Sequence, residues 1–244
     1  MRILAVDAGN SRIKWGLHEA SGWVNQSWIE TSEAGRLSEV WNDLEQPAVL
    51  VASNVAGDDV AGELRNAARS LNATLELIAS RAQQCGVRSS YDEPAQLGPD
   101  RWAALIGAWH LCGGPSVVVS AGTTMTVDAL SRDGVFLGGV IVPGVDLMRE
   151  ALARSTAGLK VEEGRFAFFP AKTADAIMSG AINALAGTIE RLQRFMREAG
   201  EAEPRVVLSG GAAPAVERAL NGPVEVVDNL VLEGLLRIAL EAEK

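Results

Sequence analysis

The sequence predicts an α/β protein in which one unit is used twice, and three observations carry that expectation. Apolar runs of strand length, such as "ILAVDA", "AVLVASNV" and "SVVVSA", alternate with longer amphipathic segments of helical period. The glycine turn at Gly9 leads into a second alternating stretch, "RIKWGL". A dinucleotide-binding turn would instead open a helix and carry three spaced glycines. The pattern also restarts in the second half: with Gly9 laid over Gly122, Val6 falls on Val119, Asp7 on Ser120, Ala8 on Ala121 and Ser11 on Thr124, at one offset of 113. A repeat on that scale predicts two α/β halves, residues 1–114 and 115–244, with mixed sheets.

Taken in order, the opening pair of strands is followed by "SEAGRLSEVWNDL", an amphipathic helix, and by "AVLVASNV", a buried strand bounded by Pro47 and Gly57. "DDVAGELRNAARSLN" is a second helix, with Asp58 or Asp59 as its N-cap. The strand "TLELIAS" leads into a polar, glycine-bearing loop from Arg81 to Pro99, and the helix "DRWAALIGAWHLC" closes the half at Gly113-Gly114. After "SVVVSAGTTMTVDAL" come the strand "VFLGGVIVPG", two long helices, the strands "PRVVLSGG" and "VEVVD", and a terminal helix from Leu230.

Composition narrows the function. Hydrophobic residues make up 48 % and charged residues 22 %, the profile of a globular chain rather than a disordered one. With 22 basic against 31 acidic residues the formal charge is −9, which argues against a nucleic-acid surface of clustered lysine and arginine. Anionic small molecules stay open, since backbone amides bind phosphate whatever the net charge. Cys85 and Cys112 have no metal-like spacing and read as reduced thiols. No signal peptide and no apolar run of the roughly 20 residues a membrane span needs is evident, so a cytoplasmic protein without a membrane partner is expected.

One small-residue hairpin turn is ordinary. Two equivalent turns together with "LSGG" at the end of a late strand favour nucleotide binding, because glycine lets backbone N–H groups and hydroxyls wrap a phosphate. Two such halves would face each other across a nucleotide cleft. Asp100, after Gly98-Pro99, is by position alone an ordinary helix N-cap, and Thr173 reads as the cap of the helix after it.

The segments "DAGNSRIKWGL", "YDEPAQLGPDRWAALIGAW", "AGTTMTVD", "GGVIVPGVDLMREAL" and "TADAIMSGAINALAGTIE" occur in that order and resemble type III pantothenate kinases over nearly the whole chain. These belong to the superfamily of acetate and sugar kinases, actin and heat-shock chaperones. The block around "LGPDRW" is the most specific part of the resemblance; the glycine hairpin belongs to the whole superfamily. It implies two duplicated actin-like (ribonuclease H-like) domains, ATP-dependent phosphorylation of pantothenate as the first step towards coenzyme A, a homodimer, Mg²⁺, and a monovalent cation, K⁺ or NH₄⁺.

Residue by residue, the resemblance makes Asp7, Ala8, Gly9, Asn10, Ser11, Arg12, Ile13 and Lys14 the first phosphate loop, with Asp7 holding Mg²⁺ through water. Its alternative is a turn-forming aspartate. Arg12 and Lys14 alternate onto one face, so one of them can be merely solvated. Gly122 and Thr123 match the second nucleotide loop. Asp100 matches the catalytic aspartate, a carboxylate that accepts the hydroxyl proton as the nucleophile attacks, a role compatible with capping. Arg101 is suited to a forked pairing with the substrate carboxylate or to a surface ion pair. Tyr91, the one tyrosine of the chain, and Thr173 match substrate contacts, and Gly98 and Pro99 shape the same loop. "GGVIVPG" is expected to line the cleft or simply to end a strand, while "LSGG" and "NLVLEGL" match the adenine side. The six tryptophans are assigned to core and interface.

One position departs from the family pattern: Ser120 stands where an aspartate helps hold the monovalent cation. A hydroxyl neutralises no charge, so a weak or altered cation dependence is expected, with Asp128 retaining some negative potential. Two alternatives compete with the pantothenate reading. One is a same-fold kinase of another hydroxylated small molecule, against which the intact "YDEPAQLGPDRW" argues. The other is a non-catalytic nucleotide-binding regulator of the accessory-factor kind, which should have lost Asp7 or Asp100; both are present.

Overall fold

Strand β1 (Ile3–Ala8) is apolar at five of its six positions, and Ile3, Leu4, Ala5, Val6 and Ala8 are all buried, so it takes the centre of a sheet covered on both faces. It pairs antiparallel with β2 (Arg12–Glu19) and parallel with β4 (Val49–Asn54). The strands β3 (Gly22–Glu30) and β5 (Thr74–Leu77) complete the order β3-β2-β1-β4-β5. This computed structural model describes residues 1–156, 158–159 and 162–242.

Two compact units emerge: Met1–Leu111 with Asn229–Lys244, and Cys112–Asp228. In the first unit, one sheet face packs Leu4, Val6, Ile13, Trp15 and Leu50 against Leu37 and Trp41, next to the short helix α1 (Leu37–Val40), and against Leu64 of α2 (Asp58–Ser70). The opposite face, Ile3, Ala5 and Val51, meets Ala103 of α3 (Pro99–Cys112) and Leu232, Leu235, Leu236 and Ala239 of the terminal helix. The expected break at 114/115 put that helix in the second half, whereas its apolar face is buried in the first unit. Periodicity reveals that a helix has an apolar face, but not which sheet will cover it.

The helices α3 and terminal cross closely. A Cβ on Gly107 would come 2.6 Å from the Leu230 carbonyl oxygen, and one on Gly234 would overlap the Ala103 carbonyl. Glycine at both positions is what permits that approach.

In the second unit, β8 (Ser116–Ala121), β9 (Thr124–Leu130), β10 (Val135–Pro143), β11 (Arg205–Ser209) and β12 (Val224–Val226) pair in the order β12-β11-β8-β9-β10. Val117, Val119, Val127 and Leu208 pack against Leu185 and Ile189 of the 26-residue helix α5 (Thr173–Glu198). The other helix expected here, α4 (Val145–Ser155), has 11 residues. A short helix, α6 (Ala213–Glu217), follows β11.

The duplication holds, with one correction. Before the turns the copies match at an offset of 113, since Asp7 opposes Lys14 and Ser120 opposes Thr126; after the turns the offset is 112. The second turn is one residue shorter: Gly9 N–H donates to the Arg12 carbonyl, whereas Gly122 N–H donates to that of Thr124. Thr124 therefore stands in the place of Arg12, not of Ser11.

Three local expectations also change. The helix expected at 32–44 is a 3₁₀ segment, Thr31–Arg36, running into α1. The N-cap of α2 is Gly57, at φ +97°, in a turn closed by Asn54, whose side chain accepts from Ala56 N–H and donates to the Gly57 carbonyl. Within the loop expected at 81–99, β6 (Gln83–Gln84) and β7 (Val87–Ser89) form a small hairpin, followed by a 3₁₀ turn at Pro94–Gln96. The terminal helix, α7 (Leu230–Glu241), begins where expected.

Candidate active site

In the first unit, directly paired positions on neighbouring strands set Lys14, Asp7 and Ser53 in one row on one sheet face. Ser53 Oγ donates to Asp7 Oδ1 at 3.0 Å. Burial pushes the Asp7 carboxyl up to about 6, and the negative charge of Asp100 adds to the rise; Lys14 and the Ser53 hydroxyl oppose it. Two carboxylates carried by different elements are thus close enough to feel each other.

The turn beyond Asp7 is braced from behind. Thr31 Oγ1 donates to the Gly9 carbonyl at 2.7 Å, and Thr31 N–H donates to the Ser11 carbonyl at 3.0 Å. Ala8 is buried and accepts from Val55 N–H. Asn10 and Ser11 stay exposed at the tip. Ile13 lies in the core and anchors the turn rather than presenting a polar group. The two cations differ in setting: Arg12 lies 4.0 Å over the Trp28 ring and 3.5 Å from Glu30, whereas Lys14 stands in the Asp7 row.

Asp100 is the second residue of α3 rather than its cap, in a first turn where a carboxylate is favoured by the helix dipole. A Cβ on Gly98 would come 2.5 Å from Asp100 Oδ1, so glycine there keeps the carboxylate in place. Gly98 and Leu97 are themselves held by the buried Ser80, whose hydroxyl donates to the Leu97 carbonyl at 2.8 Å and reaches that of Gly98 at 3.4 Å. Pro99 starts the helix, where its missing N–H costs nothing. Arg101, the next residue of α3, is only 7 % exposed. Tyr91 follows β7 and donates its N–H to Ser89 Oγ at 3.3 Å.

In the second unit the equivalent row is Thr126, Ser120 and Ser209: three hydroxyls where the first has lysine, aspartate and serine. Its turn is crowded by glycine backbone. A Cβ on Gly144 would overlap the Gly122 and Thr123 carbonyls, and one on Gly210 would overlap that of Ala121. Gly144 N–H donates to the Thr123 carbonyl at 2.9 Å, and Ala212 N–H to that of Ala121 at 3.0 Å. "GGVIVPG" and "LSGG" therefore both close on the 121–123 turn. Asp128 is buried on β9. Thr173 is the first residue of α5, with Lys172 at the cap, and it lines an apolar groove of about 760 Å³ beside Leu147, Met148 and Ile177.

Asp7, Lys14, Tyr91, Gly98, Asp100 and Arg101 belong to one unit, and Ser120, Gly122, Thr123 and Thr173 to the other. Ser53 and Ser80 were not among the expected residues. Ser53 follows the apolar stretch 48–52 and Ser80 ends "TLELIAS", and that is the one signal the sequence offers for them.

The family model described as type III pantothenate kinase matches residues 3–194. A protein of that name from Nitrosospira multiformis is 47 % identical over 99 % of this chain and 92 % of its own length. Among solved structures, one from Campylobacter jejuni assigned to the Baf family of transcriptional activators has a TM-score of 0.65 at 18 % identity, covering 98 % of both chains. The ROK hexokinase of Thermus thermophilus has a TM-score of 0.55 at 13 % identity over 100 % of this chain and 99 % of its own. At such identities these two establish a shared fold and nothing beyond it.

Proposed function

Because this chain belongs to the type III pantothenate kinase family, we propose that it transfers the γ-phosphoryl group of ATP to the 4′-hydroxyl of pantothenate, the first step of coenzyme A biosynthesis. The observation that carries the mechanism is the pair of interacting carboxylates, Asp7 and Asp100, in one unit. Asp100 is the general base: it takes the hydroxyl proton while the new O–P bond forms and the bond between the γ-phosphorus and ADP breaks. Lys14, beside Asp7, and the exposed Asn10 and Ser11 donate to phosphate oxygens, and Gly122 and Thr123 make the second nucleotide contact. Arg12 is held by Trp28 and Glu30 and takes no direct part. Tyr91, Arg101 and Thr173 contact pantothenate, the guanidinium of Arg101 pairing with its carboxylate.

The residues fit a magnesium ion. Among the described residues no group of three or more His, Cys, Asp or Glu side chains forms a metal cage, and magnesium commonly takes one or two carboxylates while keeping several waters. Asp7, raised by burial and by Asp100, is the carboxylate that a divalent cation would relieve. When bound, the ion neutralises charge on the phosphates.

The monovalent-cation requirement is weak in this reading, because Ser120 and its two hydroxyl neighbours bring no charge. A homodimer is part of the same reading, supported by exposed Phe168 and Phe169 and the apolar α4–α5 groove of the second unit. No helix among the described residues is long and apolar enough to cross a membrane, in keeping with a cytoplasmic enzyme.

An ADP-release assay with pantothenate, with other polyols and with no acceptor tests the proposal. Release that requires pantothenate supports it. Equal or better release with another polyol points to a different kinase, and none with any acceptor points to a non-catalytic nucleotide-binding protein.

A further inference from the structure

The hairpin before Tyr91 is tied down by side chains of two helices, α3 and α7. Gln84 and Val87 pair across a two-residue turn in which Cys85 has φ +48° and Gly86 φ +82°. Such a turn suits glycine or asparagine, and a cysteine in the left-handed region is strained. Glu241, in the last turn of α7, offsets that strain. Its two oxygens accept from the Cys85 backbone N–H at 3.1 and 3.2 Å, and the Cys85 thiol donates to Oε2 at 3.3 Å. Trp102, two residues past Asp100, donates its indole N–H to Gln84 Oε1 at 3.0 Å. Trp109, two helical turns further on, lies against Gly86, where a Cβ would come 2.7 Å from its Nε1.

These ties join three separate parts of one unit: the terminal helix, the helix bearing Asp100, and the hairpin from which the Tyr91–Pro99 loop departs. We infer that Glu241 is a positioning residue for the acceptor substrate: by holding Cys85 it fixes the start of the loop that carries Tyr91, and so sets the affinity for pantothenate but not for nucleotide. The inference rests on the pantothenate-kinase reading of the site. A carboxylate bond to a backbone N–H is charge-assisted, and because this one braces the hairpin before Tyr91 and not the turn at Gly9, its loss should show in the Michaelis constant for pantothenate rather than in all parameters.

The test compares the full-length wild type with Glu241→Ala and Glu241→Gln. Glu241→Ala is expected to raise KM for pantothenate about five- to tenfold, the worth of one such bond, with KM for ATP within about twofold of wild type. Glu241→Gln keeps an acceptor for the Cys85 N–H and should stay within about twofold of wild type for both substrates. Gln84→Ala cuts the other tie at a partly exposed position, away from the α7 core, and should show the same one-sided rise. Amide exchange read by mass spectrometry should be faster over residues 83–91 in Glu241→Ala. An unchanged pantothenate KM in Glu241→Ala and Gln84→Ala, or equal rises for both substrates, overturns the inference while wild-type turnover leaves the kinase reading standing. A wild type that does not phosphorylate pantothenate overturns both.

Discussion

Asp7 is where the chemistry of single residues is most exposed to test. Its carboxyl titrates near 6 in the folded protein against an ordinary 3.8, and the causes are burial first and Asp100 second. A raised folded-state value means that the folded chain holds the proton more tightly than the unfolded one. The stabilisation is therefore complete below pH 3.8 and is lost as pH rises through 6. About two units correspond to a ceiling of about 3 kcal/mol, lowered because Asp7 keeps some solvent access. Asp7→Asn should accordingly raise the melting temperature of the nucleotide-free protein at pH 8, gain little at pH 4, and abolish turnover; urea titrations at the two pH values check the sign. Wild-type kcat/KM for ATP, which reports the free enzyme, should fall as pH drops through 6. Ser53→Ala removes a donor that favours the charged form and should move that acid limb to higher pH. Asp100→Ala should lower kcat by a factor of about 10²–10⁴ with ATP binding kept, read by single-turnover kinetics beside calorimetric titration. Asp7, Asp100 and the candidate loops were legible as residue types in a recognisable order. Ser53 was not, because it lies 46 residues from Asp7 and only strand pairing brings it to the carboxylate. Nor could spacing show the different surroundings of Arg12 and Lys14, since Trp28 and Glu30 come to Arg12 on β3.

The crossing of α3 and α7 is the element on which the first unit depends most. Gly107 and Gly234 let the two backbones meet, and the Gly234 position has no room even for a methyl group. Gly234→Ala should therefore cost about 1–3 kcal/mol or more through overpacking, seen as a lower denaturation midpoint. By contrast, Gly62→Ala, where a Cβ meets nothing, should be neutral or slightly stabilising because alanine is the better helix former. Strands proved the more readable elements: their apolar runs carry enough local signal to place β1, β4, β8 and β11. The short 3₁₀ segment after β3 was read as a longer helix, since its apolar spacing is helical while its hydrogen bonding is not. The partner of α7 was hidden for a different reason, because Leu232, Leu235 and Leu236 declare a buried face in the sequence and the first sheet that covers them is more than 170 residues earlier.

At the scale of the whole molecule, duplication followed by divergence accounts for the two rows. Lys14-Asp7-Ser53 and Thr126-Ser120-Ser209 occupy matching positions of matching sheets, but one carries charge and the other only hydroxyls. Initial rates in K⁺, NH₄⁺ and Na⁺ buffers should accordingly lie close together; strong K⁺ activation abolished by Ser120→Ala would contradict this. The repeat itself was legible from Gly9 and Gly122, though the one-residue shortening of the second turn was not, since a single offset aligns the first strands and gives no sign of where the match slips. The dimer expected for the family is measured by sedimentation equilibrium, with a mass twice that of the chain as the anticipated result. The most direct test of the central claim is product analysis: wild type and Asp100→Ala are incubated with ATP, Mg²⁺ and pantothenate, and phosphopantothenate is quantified by phosphorus NMR. Stoichiometric phosphopantothenate and ADP from the wild type, with almost none from Asp100→Ala, is the predicted outcome; no phosphopantothenate from the wild type, or equal amounts from both, would contradict it.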